Sequence, residues 1–266
     1  MRHAAAALLG LCLALPALSA ASAETLPPGL DAARLLPGWI DAEGRRVAAL
    51  ELRLKPGWKT YWRSPGDSGL PPVFDWQASR NLRDVEFHWP APEAIRSGED
   101  TSLGYHDVLV LPFTARPRDP ALPLDLAASV DFGLCERICV PGRVSLRAGP
   151  AADAPDPRIA EALARVPARV AARPACRLDE IADGMRLEMD LPAAMTGAQV
   201  VAVELPDRPE VWVSSAALRD EDGTTIASAD FVPPEAKPFD LDADGLRITL
   251  VGASGAVEMR GCAPQG

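Results

Sequence analysis

Two thiols four positions apart, Cys135 and Cys139, stand in the stretch DFGLCERICVPGRVSL (131–146) of a chain with five cysteines in 266 residues. Such a pair can be a structural cystine, part of a metal clamp, or a redox couple. Fully extended, four residue steps span about 13 Å, whereas a disulfide needs Cα atoms about 4.4–6.8 Å apart. Glu136-Arg137-Ile138 must therefore turn back for a bond to close. A bridge over so small a ring restrains little of the unfolded chain, and strained or exposed cystines are the readily reduced ones. A tight pair suits a switch better than a staple. Thiolates also suit zinc or cuprous copper, but a closed site needs three or four ligands. Beyond the N-terminal leader the chain has only His88 and His106, neither near the pair in sequence. Met185 and Met189 lie in an alternating pattern that reads as core.

The second pair of thiols has different spacing. Cys176 and Cys262 are 86 positions apart and bracket the C-terminal block. A bridge closing such a loop contributes roughly 4–5 kcal/mol in the chain-entropy model, so a structural staple is the expected role. Arg137 is the cation nearest the first pair in sequence, and a neighbouring cation lowers a thiol pKa while Glu136 would oppose it. As a turn residue Arg137 is expected to be simply exposed, and His106 to be a solvated loop histidine.

The first 23 residues, MRHAAAALLGLCLALPALSAASA, have a basic start, an apolar middle and a small-residue end. They read as a secretory signal peptide cleaved after Ala23. Cleavage removes Cys12 and leaves four cysteines, an even count that favours two disulfides in an oxidising compartment. No later stretch approaches a transmembrane length, so an exported product that does not span the membrane is expected. The formal net charge of −10 repels phosphate backbones and argues against nucleic acid as a partner. No Ser/His/Asp set, paired-carboxylate site or phosphate-cradling glycine loop stands out, and no cofactor or resident metal is expected.

The elements that must hold these thiols are strands. In VAALELRLKP, Leu50, Leu52 and Leu54 alternate with Glu51, Arg53 and Lys55, which predicts a strand with one wet face. LPLDLAASVDF places Leu124, Leu126, Ala128, Val130 and Phe132 on one side, and VEFHW and VLVLPFT add two more strands. Clusters such as SPGDSGLPP punctuate them as in an all-β domain. AGPAADAPDP (148–157) reads as a linker leading into a short helix, capped by Asp156, begun by Pro157 and stopped by Pro167. Ile159, Leu163 and Val166 are spaced for its apolar face. Alternation resumes with Met185, Leu187, Met189 and Leu191, then QVVAVEL, EVWVSSAAL, LRITLVG and AVEMRGC. The expected organisation is all-β: two immunoglobulin-like sandwich domains, 24–150 and 173–266, joined by a linker with a short helix at 151–172. Periodicity alone leaves barrels open.

LKPGWKTYWRSPGDSGLPP (54–72), WPAPE (89–93), GYHDVLVLP (104–112) and DFGLCERICVPGRVSL occur in that order. Together they resemble the N-terminal periplasmic domain of the thiol:disulfide interchange protein DsbD family, above all its suppressor-of-copper-sensitivity variants, ScsB. The likeness runs over roughly residues 38–147, and the block from CRLDEI to MRGC is similar to the region that follows in those variants. The resemblance implies an immunoglobulin-like sandwich carrying one redox cystine, Cys135 and Cys139, with Cys139 forming mixed disulfides. It implies a cap loop near Gly98 to His106 with Tyr105 shielding the cystine, and Tyr61 and Trp62 as an aromatic segment beside it. The implied function is periplasmic thiol-disulfide exchange. Reducing equivalents would come from a membrane-embedded electron carrier, and the implied partners include thioredoxin-like periplasmic proteins, expected on separate chains. The C-x-x-x-C spacing is narrower than in the enteric members. A rival of another class is a non-catalytic periplasmic binding module, copper-handling or protein-docking, with purely structural cystines.

Overall fold

A computed structural model describes residues 26–98, 100–191, 198–253 and 255–265, and the leader read at 1–23 lies outside them. The first half is built from β1 (Leu30–Ile40), β2 (Arg46–Leu54), β3 (Lys59–Tyr61), β4 (Val73–Asp75), β5 (Leu82–Phe87), β6 (Glu93–Ser97), β7 (Asp100–His106), β8 (Val108–Pro117), β9 (Ala127–Cys135) and β10 (Cys139–Arg147). A helix, α1 (Pro157–Ala164), follows, alone of its kind among the described residues. The second half comprises β11 (Ala168–Arg169), β12 (Ala175–Ile181), β13 (Gly184–Asp190), β14 (Ala198–Glu204), β15 (Trp212–Val213), β16 (Ala217–Glu221), β17 (Thr224–Val232), β18 (Arg247–Gly252), β19 (Gly255–Arg260) and β20 (Ala263–Pro264).

Two open sheets face each other in the first half, β1-β2-β8-β5 and β10-β9-β3-β7-β6, with β4 alongside β9. Two more, β11-β19-β18-β14 and β15-β17-β13-β12-β20 with β16 alongside β17, form the second. Among the described residues no sheet closes on itself, so the halves are immunoglobulin-like sandwiches and not barrels. The inward positions of each alternating strand meet across the gap. Leu50 and Leu52 of β2 and Leu111 and Phe113 of β8 pack with Leu103 of β7 and Val130, Phe132 and Leu134 of β9. In the second core Leu187 and Met189 of β13 and Phe231 of β17 meet Val203 of β14 and Ile248 and Leu250 of β18. Cys176 and Cys262, both buried, are bonded within that core with Cα atoms 5.9 Å apart.

The expected wet face of β2 is wet only toward its end, where Arg53 and Lys55 are exposed. Val47, Ala49 and Glu51 are all buried, because α1 lies across the outside of this sheet. Ile159 and Ala162 of the helix pack on Leu36, Val47, Ala49 and Val110. Asp156 accepts from the Arg158 amide and Pro157 opens the first turn, but the helix ends at Ala164, short of Val166. Glu51 takes three guanidiniums: Arg53 at 2.7 Å, Arg34 at 2.8 Å and Arg158 of the helix at 3.1 Å. A carboxylate this deep is tolerable only when paired and hydrogen-bonded.

The stretch read as a linker is attached on both sides. Ala152 donates its amide to the Gly38 carbonyl at 2.7 Å, and Ala91 donates to the Arg165 carbonyl at 2.7 Å. Beyond the helix, β11 pairs in parallel with β19. The two sandwiches also touch directly, since Ala202 and Val251 of the second pack into the first core.

Truncating the helix anchor tests this packing. Ile159→Ala is expected to destabilise the first sandwich by about 2–4 kcal/mol. Five of the six tryptophans lie in that half, so the midpoint of its fluorescence-detected urea transition reads the loss.

Candidate functional site

The β9–β10 hairpin sets the site. Its register runs without a break from Ala127 opposite Arg147 to Cys135 opposite Cys139. The last pair of the ladder therefore puts two cysteines face to face, and they are bonded with Cα atoms 4.1 Å apart. Glu136, Arg137 and Ile138 make the turn that spacing alone requires, and all three are exposed. The two cysteines differ in access. Cys135 is 2 % exposed, while Cys139 is on the surface.

Strand β3 lies on the other side of β9, with Lys59 opposite Cys135 and Thr60 opposite Leu134. Alternation sends Lys59 and Tyr61 to the cystine face and Thr60 inward. The Tyr61 ring lies over Gly133. A Cβ at that glycine would fall 2.9 Å from ring carbons and 2.8 Å from the Leu70 Cβ, so only glycine makes the slot. The phenol oxygen of Tyr61 is 2.8 Å from Cys135 Sγ and 3.2 Å from Cys139 Sγ. Bonded sulfurs carry no proton, so the tyrosine donates. Burial pushes the Tyr61 phenol above its usual range, which keeps it protonated as a donor.

Of the three aromatic residues expected here, the structure brings only Tyr61 to the sulfurs. Trp62 follows it in sequence and so points the other way, fully buried in the first core. Tyr105 pairs with Thr60 across β3 and β7 and shares its inward direction. Its hydroxyl donates to the Pro90 carbonyl at 2.8 Å, away from the cystine. The cap loop expected near Gly98 to His106 is, from Asp100 onward, strand β7, and Glu99 lies outside the described residues. His106 stands near the surface, its Nδ1 2.8 Å from the Glu93 carboxylate.

Arg137 is exposed in the turn, and a second cation stands on the neighbouring strand β3. Lys59, the buried cross-strand neighbour of Cys135, donates from Nζ to Ser97 Oγ at 2.8 Å and Ser102 Oγ at 3.4 Å. It sits 6.0 Å from the Tyr61 ring centroid, and burial lowers its pKa. Sequence reasoning missed Lys59 and Gly133. Reading KTY as a strand would have put Lys59 on the Tyr61 face. Three apolar side chains of this face and turn meet solvent: Leu70 beside Gly133 at 50 % exposure, Ile138 in the turn at 75 %, and Val73, opposite Asp131 farther along β9, at 63 %. Among the described residues no three His, Cys, Asp or Glu side chains cluster as metal ligands, and no helix is long and apolar enough to cross a membrane.

Residues 32–149 match the family described as thiol:disulfide interchange protein DsbD, N-terminal. The first sandwich belongs to that family. Its DsbD-type fold extends to a solved relative, described as the N-terminal periplasmic domain of ScsB from Proteus mirabilis. The two share 22 % identity with a TM-score of 0.61, over 86 % of this chain and 92 % of that one. That coverage takes in both sandwiches, so the tandem arrangement is part of the shared fold. A match to the Bacteroides ovatus mixed-linkage glucan utilization locus protein SGBP-B, in complex with a mixed-linkage heptasaccharide, has a TM-score of 0.18 at 10 % identity. It covers 92 % of this chain and 46 % of that one and carries no argument. No curated protein matches the chain in sequence.

The burial contrast between the cystine of the DsbD-type sandwich and that of the second sandwich generates a direct test. In the native state, mild dithiothreitol is expected to reduce Cys135–Cys139 at least about 100-fold faster than Cys176–Cys262, whose reduction requires local opening. Timed alkylation and peptide mass spectrometry measure both rates in one sample.

Proposed function

We propose that this protein is a periplasmic thiol-disulfide relay in which Cys139 exchanges with partners and Cys135 resolves. The observation that carries the reading is a cystine with one surface cysteine and one buried cysteine, with a tyrosine hydroxyl donating to both sulfurs. Membership of the first sandwich in a thiol:disulfide interchange family supports the same chemistry.

In the reduced protein, the Cys139 thiolate attacks one sulfur of a client disulfide. A mixed disulfide forms, and the client's other sulfur leaves as a thiolate. Cys135 then attacks Cys139 Sγ, the intermolecular bond breaks, and the client departs as a dithiol while the 135–139 bond is restored. Recharging runs in reverse. A donor thiolate attacks Cys139 Sγ from the open side, Cys135 leaves as a thiolate and takes up a proton, and the donor's second thiol completes its own disulfide. Tyr61 donates to whichever sulfur carries charge. The donor proposed is a membrane-embedded thiol-disulfide carrier, and the other partners are thioredoxin-like periplasmic proteins. Leu70, Val73 and Ile138 give such a partner an apolar rim to dock on. The Cys176–Cys262 bridge serves as a staple of the second sandwich.

Trapping decides the matter. Cys135→Ser leaves the exposed thiol able to attack but unable to resolve, and is expected to accumulate mixed disulfides on non-reducing gels. Cys139→Ser, which leaves only the buried thiol, is expected to yield at least about tenfold fewer. Equal yields, or none from Cys135→Ser beside a working thioredoxin-type control, would remove the relay.

A further inference from the structure

The stretch that walls the cystine, Tyr61 to Leu70, is fastened at two points to the second sandwich. The Arg63 guanidinium lies 4.1 Å over the Trp62 ring and donates to Glu204 at 2.9–3.1 Å and to Glu258 at 2.8 Å. All three side chains are only 12–14 % exposed. Four residues on, the Ser215 amide donates to Asp67 Oδ1 at 3.0 Å, and the Asp67 amide donates to Ser215 Oγ at 3.1 Å. Between the fastenings and the cystine the wall is tight. A Cβ on Gly69 would collide with the Pro65 ring and fall 3.0 Å from the Tyr61 ring, and Leu70 closes over Gly133. A two-pronged Arg–carboxylate contact held away from water is among the most directional contacts a fold can make. Here it lies two residues from the tyrosine that touches both sulfurs.

We infer that the second sandwich acts as a clamp on the exchange site. Glu204 and Glu258 grip Arg63, seconded by the Asp67–Ser215 contact, and so hold the Tyr61 hydroxyl on the sulfurs and set the acidity of Cys139. The inference rests on the relay reading above. Reduction adds two electrons and two protons to the cystine. When the Cys139 thiol then loses its proton, a fixed O–H donor favours the anion, because hydrogen bonds to charged acceptors are the stronger ones. With the clamp loosened the donor drifts, the thiolate loses that stabilisation, and the thiol pKa rises. Arg63 touches neither sulfur, so it is a positioning residue. Its removal leaves Glu204 with Arg247 at 3.7 Å and Glu258 with Arg169 at 3.6 Å, so the second sandwich keeps partners for both carboxylates.

The test uses the full chain with Cys176–Cys262 intact and the 135–139 pair reduced. The pH dependence of iodoacetamide alkylation at Cys139, read by mass spectrometry, gives the thiol pKa. Tyr61→Phe and Arg63→Ala are each expected to raise it by on the order of one unit. Arg63→Lys should fall between wild type and Arg63→Ala, and Asp67→Ala should shift the pKa in the same direction by less. The decisive sample is Tyr61→Phe with Arg63→Ala, expected to shift no further than Tyr61→Phe alone because both act through one hydroxyl. An unchanged pKa in Arg63→Ala, or a double variant equal to the sum of its singles, overturns the clamp. Should Arg63→Ala not fold, Asp67→Ala and Arg63→Lys carry the same comparison, and unchanged values in both overturn it. A wild-type pair that mild thiol cannot reduce in the native fold overturns the relay reading and the clamp with it. An exchangeable wild-type pair with an Arg63-insensitive pKa overturns the clamp alone.

Discussion

The ladder between β9 and β10 is the constraint on which the site depends. Nine consecutive pairs in unbroken register deliver Cys135 and Cys139 to the same rung, at the end where the hairpin turns. A one-residue slip would send one sulfur to the opposite face of the sheet and leave no bond to make. The register is itself held by burial, because Val130, Phe132 and Leu134 must point into the first core. The same alternation that fills the core therefore aims Cys135 and Gly133 at the Tyr61 face. Packing and chemistry are two sides of one strand.

That arrangement gives the two cystines different settings. One closes a tight turn at the end of a hairpin, with one partner open to solvent and a hydroxyl donor against the bond. The other joins the beginning and end of the second sandwich, with both cysteines inside its core. The family to which the first sandwich belongs fits the first of these, and the fold shared with the Proteus mirabilis ScsB domain accounts for the second sandwich beside it.

Much of this was legible in the residues. Period-two runs marked the strands, Asp156 and Pro157 marked the helix start, and the spacing of Cys135 and Cys139 required a turn. What failed did so for separate physical reasons, the first being that periodicity tells which side chains share a face but not what covers that face. Leu50 and Glu51 were assigned opposite sides correctly, yet of the side read as wet only Arg53 and Lys55 are exposed, because the helix roofs the part that holds Val47, Ala49 and Glu51. Trp62 and Tyr105 were grouped with Tyr61 by likeness to a motif, although strand alternation sends both inward. Lys59 was overlooked because sequence distance from Cys135 hid a direct cross-strand neighbour. The register of nonadjacent strands is written in no local pattern, and that is where the remaining site residues came from.

The helix over the first sheet has a bearing on where this molecule divides. By composition the chain looks severable at the Ala-Pro-Asp stretch near residue 150, but a cut there would strip Ile159 and Ala162 from Val47 and Ala49. It would also deprive Glu51 of one of its three guanidiniums. An autonomous first module would thus have to carry α1 with it. Its natural seam lies after Arg165, whose carbonyl is the last anchor to the Ala91 amide, and before β11 joins the neighbouring sheet.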